Sequence, residues 1–172
     1  MKQPKETYFS HATLHAKARQ MMQALEPVRR NPPLPYAPER SALLALDLQA
    51  YFLDESSHAF IPRGAAILPG VNALVRACSR RGLPVFLTRH LNTPQNAGLM
   101  SAWWRDLLTE ENPSSALDPR LERGTSIEVR KTRYDAFLNT PLETLLRERA
   151  VNQVEPLLAR APDCESENSA AT

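Results

Sequence analysis

Two cysteines, Cys78 and Cys164, are all that 172 residues contain, too few for a disulfide framework, so a reducing, cytoplasmic setting is the expectation. Glycine is scarce as well, at five residues, and neither G-x-G-x-x-G nor G-x-x-x-x-G-K-[ST] occurs. A phosphate-cradling loop is therefore unsupported, and no nucleotide or other cofactor is expected. No apolar run approaches the roughly 20 residues that cross a bilayer. The start, Met1-Lys-Gln-Pro-Lys-Glu6, does not lead into the apolar stretch of a secretion signal. Excess charge of one sign is missing too: 21 Lys+Arg against 19 Asp+Glu leave +2, and Arg29–Arg30 and Arg80–Arg81 are isolated pairs. Nucleic-acid binding thus has little electrostatic footprint. His11 and His15 stand four apart on a predicted helix but lack a third ligand, so they read as a solvated face and no metal is expected.

Apolar residues are plentiful, at 42%, beside 23% charged, as in an ordinary globular chain of one domain. Residues 10–26 are predicted helical, with Ser10 as cap and Leu14, Ala18, Met21, Met22 and Leu25 at helical spacing. Asn31-Pro-Pro-Leu-Pro-Tyr-Ala-Pro38 then forms an extended linker. The organisation predicted is an N-terminal helix and proline-rich arm over 1–40, a core domain over 41–153, and a divergent, disordered tail over 154–172.

Within the core, strands are predicted at 42–48, 84–90 and 126–131. Pro69 and Gly70 open a helix with Val71, Leu74, Val75 and Cys78 on its apolar face, stopped by Gly82. A second helix is predicted over 99–109, where Trp103 and Trp104 cannot both face the core, and a third begins at Thr140-Pro-Leu-Glu143, which reads as a capping box. Strands alternating with helices imply an α/β fold: three layers, a mostly parallel, Rossmann-like sheet flanked by helices.

Ser41–Phe52 carries the most information. Its apolar run, of the kind a strand covered on both faces shows, ends on Asp47. In a parallel sheet all carboxyl ends share one edge, the edge at which open α/β sheets bind ligands. Asp47, the Arg89–His90 pair and Lys131 each fall at such an end. A lysine beside an aspartate in that crevice favours both charged forms and can activate a nucleophile; an ordinary ion pair at a loop edge is the alternative. His58, in the polar loop after the first strand, either lines the crevice or sits on the surface, and Cys78 reads as inert core.

Ala42–Phe52 (ALLALDLQAYF), Pro84–His90 (PVFLTRH) and Val129–Leu142 (VRKTRYDAFLNTPL), in that order, resemble the isochorismatase-like cysteine hydrolase superfamily from about Ser41 to Gln153. The resemblance implies a catalytic group of aspartate, lysine and cysteine: Asp47 as proton shuttle, Lys131 as the cation that holds it, and Cys164 as the thiolate that attacks a carbonyl or imine carbon. Gln49, Phe52, Arg89 and His90 are implied as substrate-binding residues. The implied activity is hydrolysis of a small amide, imide or related metabolite. One branch of the family instead cleaves the vinyl ether of isochorismate, with the aspartate as proton donor and no need of a cysteine. The N-terminal arm and Asp-x-Gln-x-Tyr-Phe are similar to that branch, the Arg89–His90 pair to the general hydrolases.

The pattern changes after Gln153. Family members continue with an apolar strand, a Gly-x-x-Thr turn and the cysteine at a helix start; here Val154-Glu-Pro-Leu-Leu-Ala-Arg-Ala-Pro-Asp163 precedes Cys164, and Glu155 and Pro156 disfavour a central strand. Cys164 stands 33 residues after Lys131, about the family's spacing, yet within a polar stretch. A working nucleophile and an accidental thiol in a truncated or frame-shifted tail both stay open. The last strand–helix units of the family are missing from this reading, so a marginally stable fold, or one completed by a homo-oligomer or by docking as a non-catalytic remnant to a relative, is the further expectation.

Overall fold

The computed structural model describes residue 10 and residues 12–28, 35–104 and 106–158. His11, Arg29–Arg30, the start of the proline-rich linker, and Cys164 with the rest of 159–172 lie outside the described residues.

Four strands, β1 (Ser41–Leu46), β2 (Val85–His90), β3 (Ile127–Lys131) and β4 (Gln153–Leu158), form one sheet in the order β3-β2-β1-β4. Every pairing is parallel: Leu43 lies opposite Val85, Phe86 opposite Ile127, and Leu44 opposite Pro156. Because strand side chains alternate between faces, β1 feeds two cores. Leu43 and Ala45 join Leu68, Val71 and Val75 of α3 (Pro62–Arg80) on one side. Ala42 and Leu44 join Phe86, Val129 and Leu142 and Leu146 of α5 (Leu142–Glu148) on the other. This is the predicted three-layer arrangement, with both faces of β1 covered, as its continuous apolar run requires.

Three expectations are corrected. First, α3 begins at Pro62, not at Pro69: Pro62 occupies the first turn, where its missing N–H costs nothing, and Pro69 is exposed mid-helix, with Ala65, whose carbonyl it leaves without the intrahelical donor, only half-buried. Leu74 is correspondingly exposed, while Gly82 does end the helix, at φ 67°, with Leu83 N–H donating to Cys78 C=O. Second, the helix predicted over 99–109 is one turn, α4 (Met100–Trp103), and Trp104 leaves it in extended conformation. Third, residues 154–158 belong to the sheet. Glu155 and Pro156 are tolerated because β4 is an outer strand of the described sheet, where a proline need not serve two neighbours. The N-terminal helix α1 (Leu14–Leu25) starts later than Ser10 and buries none of its residues.

The segment between α4 and β3 closes over the α3 side, with Leu117 and Leu121 in the core and Asp118 buried between them. Arg120 donates to both carboxylate oxygens of Asp118, at 2.9 and 2.8 Å, and to Leu53 C=O at 2.8 Å. Hydrogen bonding from Arg120 holds the Asp118 carboxyl below the usual carboxylate range, against the opposing effect of burial. The folded state therefore binds fewer protons than the unfolded chain near pH 3–4. Its stabilisation is complete above the unfolded value of about 3.9 and is lost as pH falls through the lower folded one. Asp118→Asn is expected to cost about 1–3 kcal/mol at pH 7, with the gap to the wild type narrowing below about pH 4. Urea melts across that range check it.

Candidate active site

The carboxyl ends of β1, β2 and β3 meet in register, with His90 opposite Lys131. One residue past β1, Asp47 takes left-handed backbone at φ 55°, a conformation that costs a non-glycine residue on the order of 1 kcal/mol and persists only when its surroundings hold it. Thr88 of β2 supplies part of that hold. Its hydroxyl accepts from Asp47 N–H at 3.0 Å and donates to Asp47 Oδ1 at 2.7 Å. Lys131 supplies the rest, with Nζ 2.8 Å from Asp47 Oδ2.

The side chains of the pair are 1% and 6% exposed for Lys131 and Asp47. Taking two charges out of water is affordable only when every donor and acceptor is satisfied. The three hydrogens of the Lys131 ammonium meet Asp47 and the backbone carbonyls of Arg133, at 3.1 Å, and Tyr134, at 3.3 Å, both in the turn after β3. Lys131 is thereby fully engaged in fixing the carboxylate. Each oxygen of Asp47, by contrast, accepts one hydrogen bond here and has capacity for a second, so the carboxylate can take and return a proton.

Aromatic rings gather beside the pair. Trp104 stacks on Tyr51 with centroids 5.6 Å apart and planes 5° from parallel, and on His90 at 5.5 Å and 20°. Its indole N–H donates to the Tyr134 hydroxyl at 2.9 Å, and Phe52 packs edge-on to Tyr51 and Trp104. Tyr134 thus links the rings to the ion pair, because its carbonyl is one of the groups holding Lys131.

Asp47, His90 and Lys131 come together at one rim, with Phe52 in the adjoining aromatic cluster. Gln49 is a brace: its amide donates to His90 C=O at 3.0 Å and Ser115 C=O at 2.6 Å and accepts from His90 N–H at 2.9 Å, which engages its whole amide with backbone. Arg89 alternates to the other face, donating to Ser115 C=O and Ser115 Oγ, both at 2.9 Å, and pairing with Glu110. The guanidinium is thereby directed at the 110–115 segment, away from Asp47. His58 bridges Tyr51 and Asp106. Cys78 is half-buried on α3, and burial pushes its thiol pKa up, away from reactivity. No group of three or more metal-capable side chains occurs among the described residues.

Thr88, Tyr51 and Tyr134 were not singled out by sequence reasoning as site residues; of Trp103 and Trp104, the sequence leaves open which packs inward and which covers the site or an interface. For Thr88 a signal existed: a polar residue at an alternate position of an apolar strand, two before His90, must face inward. The rings of Tyr51, Trp104 and Tyr134 converge from three distant segments, and their convergence had no local signature.

A family model described as the Isochorismatase domain matches residues 41–155. Among curated proteins, Enterobactin synthase component B of Escherichia coli K12 is 29% identical over 122 residues, 69% of this chain and 42% of its own length. Nicotinamidase 3 of Arabidopsis thaliana is 30% identical over 119 residues, 66% of this chain and 56% of its own. The chain thus spans about half the length of the curated relatives it matches. Among solved structures, a cysteine hydrolase from Pseudomonas syringae pv. phaseolicola 1448A superposes with TM-score 0.70 at 23% identity, covering 76% of this chain and 65% of that one. A nicotinamidase from Bacillus subtilis gives 0.61 at 21%, covering 69% and 70%. At those identities the likeness concerns the fold. No described helix is long and apolar enough to cross a membrane. With its matched segment running from the first residue of β1 into β4, this chain belongs to the isochorismatase-like hydrolase family.

Proposed function

We propose that this chain carries the acid–base half of a cysteine-hydrolase site for a small amide, imide or related metabolite, with Asp47 moving the proton, Lys131 fixing Asp47, and the Cys164 thiolate as nucleophile. The observation that supports it most is the buried 2.8 Å contact between Lys131 and Asp47 at the carboxyl rim. A structural ion pair alone does not explain why the carboxylate is presented on left-handed backbone beside aromatic rings.

The chemistry then runs in two halves. Asp47 takes the thiol proton; sulfur attacks the amide carbon; and the departing nitrogen takes that proton from Asp47 as the C–N bond breaks, leaving a thioester. Water next gives a proton to Asp47 as its oxygen attacks the thioester carbon, and the C–S bond breaks. The sulfur recovers that proton or leaves it to the medium, and the acid departs. No cofactor enters either half. The family's other reaction, protonation and hydrolysis of isochorismate, uses Asp47 without sulfur.

The test is turnover of a panel of small amides, imides and isochorismate by the wild type, Asp47→Asn and Cys164→Ser. Amide turnover that falls at least about 100-fold in both variants supports the proposal. Isochorismate turnover lost only in Asp47→Asn selects the vinyl-ether reaction. An Asp47→Asn variant as active as the wild type removes Asp47 from the chemistry. No turnover of any substrate by the wild type overturns the enzyme reading in favour of a remnant that docks to a relative.

A further inference from the structure

We propose that Asp106, His58 and Tyr51 form a strap that sets the position of Trp104 beside the Asp47–Lys131 pair, which makes His58 a positioning residue of this site. Its consequence for turnover rests on the hydrolase reading above; its consequence for Trp104 does not.

The strap is built from a short polar loop. After α2 (Ala50–Leu53), Asp54 Oδ1 accepts from Ser56 N–H at 2.8 Å and Ser56 Oγ at 2.7 Å, an Asx turn that reverses the chain. Ser57 Oγ donates back to Tyr51 C=O at 2.6 Å. The reversal brings His58 edge-on to the Tyr51 ring, with centroids 5.3 Å apart and planes at 87°. His58 Nε2 lies 3.1 Å from the Tyr51 hydroxyl, and Nδ1 lies 3.3 Å from Asp106 Oδ2. A carboxylate beside Nδ1 calls for the proton there, which leaves Nε2 of the neutral ring to accept from Tyr51.

Asp106 is two residues past Trp104, so the contact closes a ring of interactions around the indole. One segment supplies Tyr51 and His58; the other supplies Trp104 and Asp106. They touch at two places, the rings of Tyr51 and Phe52 against Trp104 and the His58–Asp106 pair. Two separated contacts fix orientation where one leaves a pivot. From Trp104 the connection continues through the Tyr134 hydroxyl to the Tyr134 carbonyl that holds Lys131. A surface pair between a half-buried histidine and an exposed aspartate contributes little by itself. Here it acts on the geometry of groups that adjoin the reacting carboxylate.

Trp103 is exposed, and Trp103→Phe leaves Trp104 as the sole tryptophan. In that background, acrylamide quenching of Trp104 is expected to rise at least about twofold in His58→Ala and in Tyr51→Phe, which keeps the ring and so guards against loss of the fold. The double variant is expected to equal either single one, since both cut one chain. His58→Gln, whose amide retains one donor and one acceptor, is expected to restore the wild-type value. With a substrate in hand, His58→Ala is expected to raise KM about 5–10-fold with kcat within about twofold. Unchanged quenching in both single variants overturns the strap, as do effects that add in the double variant or a failure of His58→Gln to rescue. An inactive wild type overturns the hydrolase reading alone and leaves the quenching result to decide this one.

Discussion

Lys131→Met is expected to destabilise the fold by about 3–5 kcal/mol, because it strips a buried carboxylate of its counter-charge while leaving the carboxylate in place. The methionine fills nearly the same volume, so the loss is electrostatic rather than a cavity. Asp47 keeps Thr88 as a partner, but a neutral hydroxyl does not balance a full charge at 6% exposure. Two further groups lose a donor, the carbonyls of Arg133 and Tyr134. Asp47→Asn with Lys131→Met tests the origin of the loss. Removing both charges is expected to recover at least half of the stability, because asparagine tolerates left-handed backbone and still accepts from Thr88. The measurement is the urea midpoint of the wild type, both single variants and the double. A double variant no more stable than Lys131→Met places the penalty in packing instead. Activity separates from stability in the same set: the double variant is expected to fold and to remain inactive, since Asp47 is the proposed proton carrier.

The Asp47–Lys131 meeting was legible in the sequence for a topological reason. Each residue ends an apolar strand, and parallel strands put their ends on one edge wherever they lie in the chain. No spacing rule over 84 residues was needed, only the direction of the strands. Elements read from local rules fared unevenly. Gly82 ends α3 because a left-handed stop is a local requirement, and Thr140 does accept from Leu142 N–H, although Glu143 pairs with Arg147 instead of completing the box. Pro69 misled because a proline's cost depends on whether the carbonyl it frees meets water, and solvent exposure is a tertiary property. Pro156 misled likewise, since position within a sheet decides what a strand tolerates. The 99–109 stretch has helical periodicity, yet Trp104 gains more by stacking between Tyr51 and His90 than by continuing α4. That gain depends on residues about 50 and 15 positions away and has no trace in the local pattern.

Gln49→Leu is expected to cost about 2–4 kcal/mol, the second largest loss among these substitutions, although the sequence reading gave Gln49 to the substrate. The glutamine is fully buried and ties the end of β2 to the 113–115 turn through three hydrogen bonds. Leucine matches its size, so little cavity forms; the cost is the desolvated backbone it abandons. Ser115 C=O keeps a donor in Arg89 Nε, whereas His90 loses the Gln49 contact at both its N–H and its C=O. Gln49→Glu separates hydrogen bonding from shape. A glutamate side chain still accepts from His90 N–H but turns its second oxygen toward two carbonyls, an arrangement that repels unless that oxygen is protonated. Its stability is therefore expected to rise as pH falls from 7 toward 5, opposite in sign to the loss at Asp118 below pH 4. A Gln49→Glu variant whose urea midpoint does not change with pH, or a Gln49→Leu variant as stable as the wild type, removes the brace. The glutamine then returns to the crevice as a group held for the substrate.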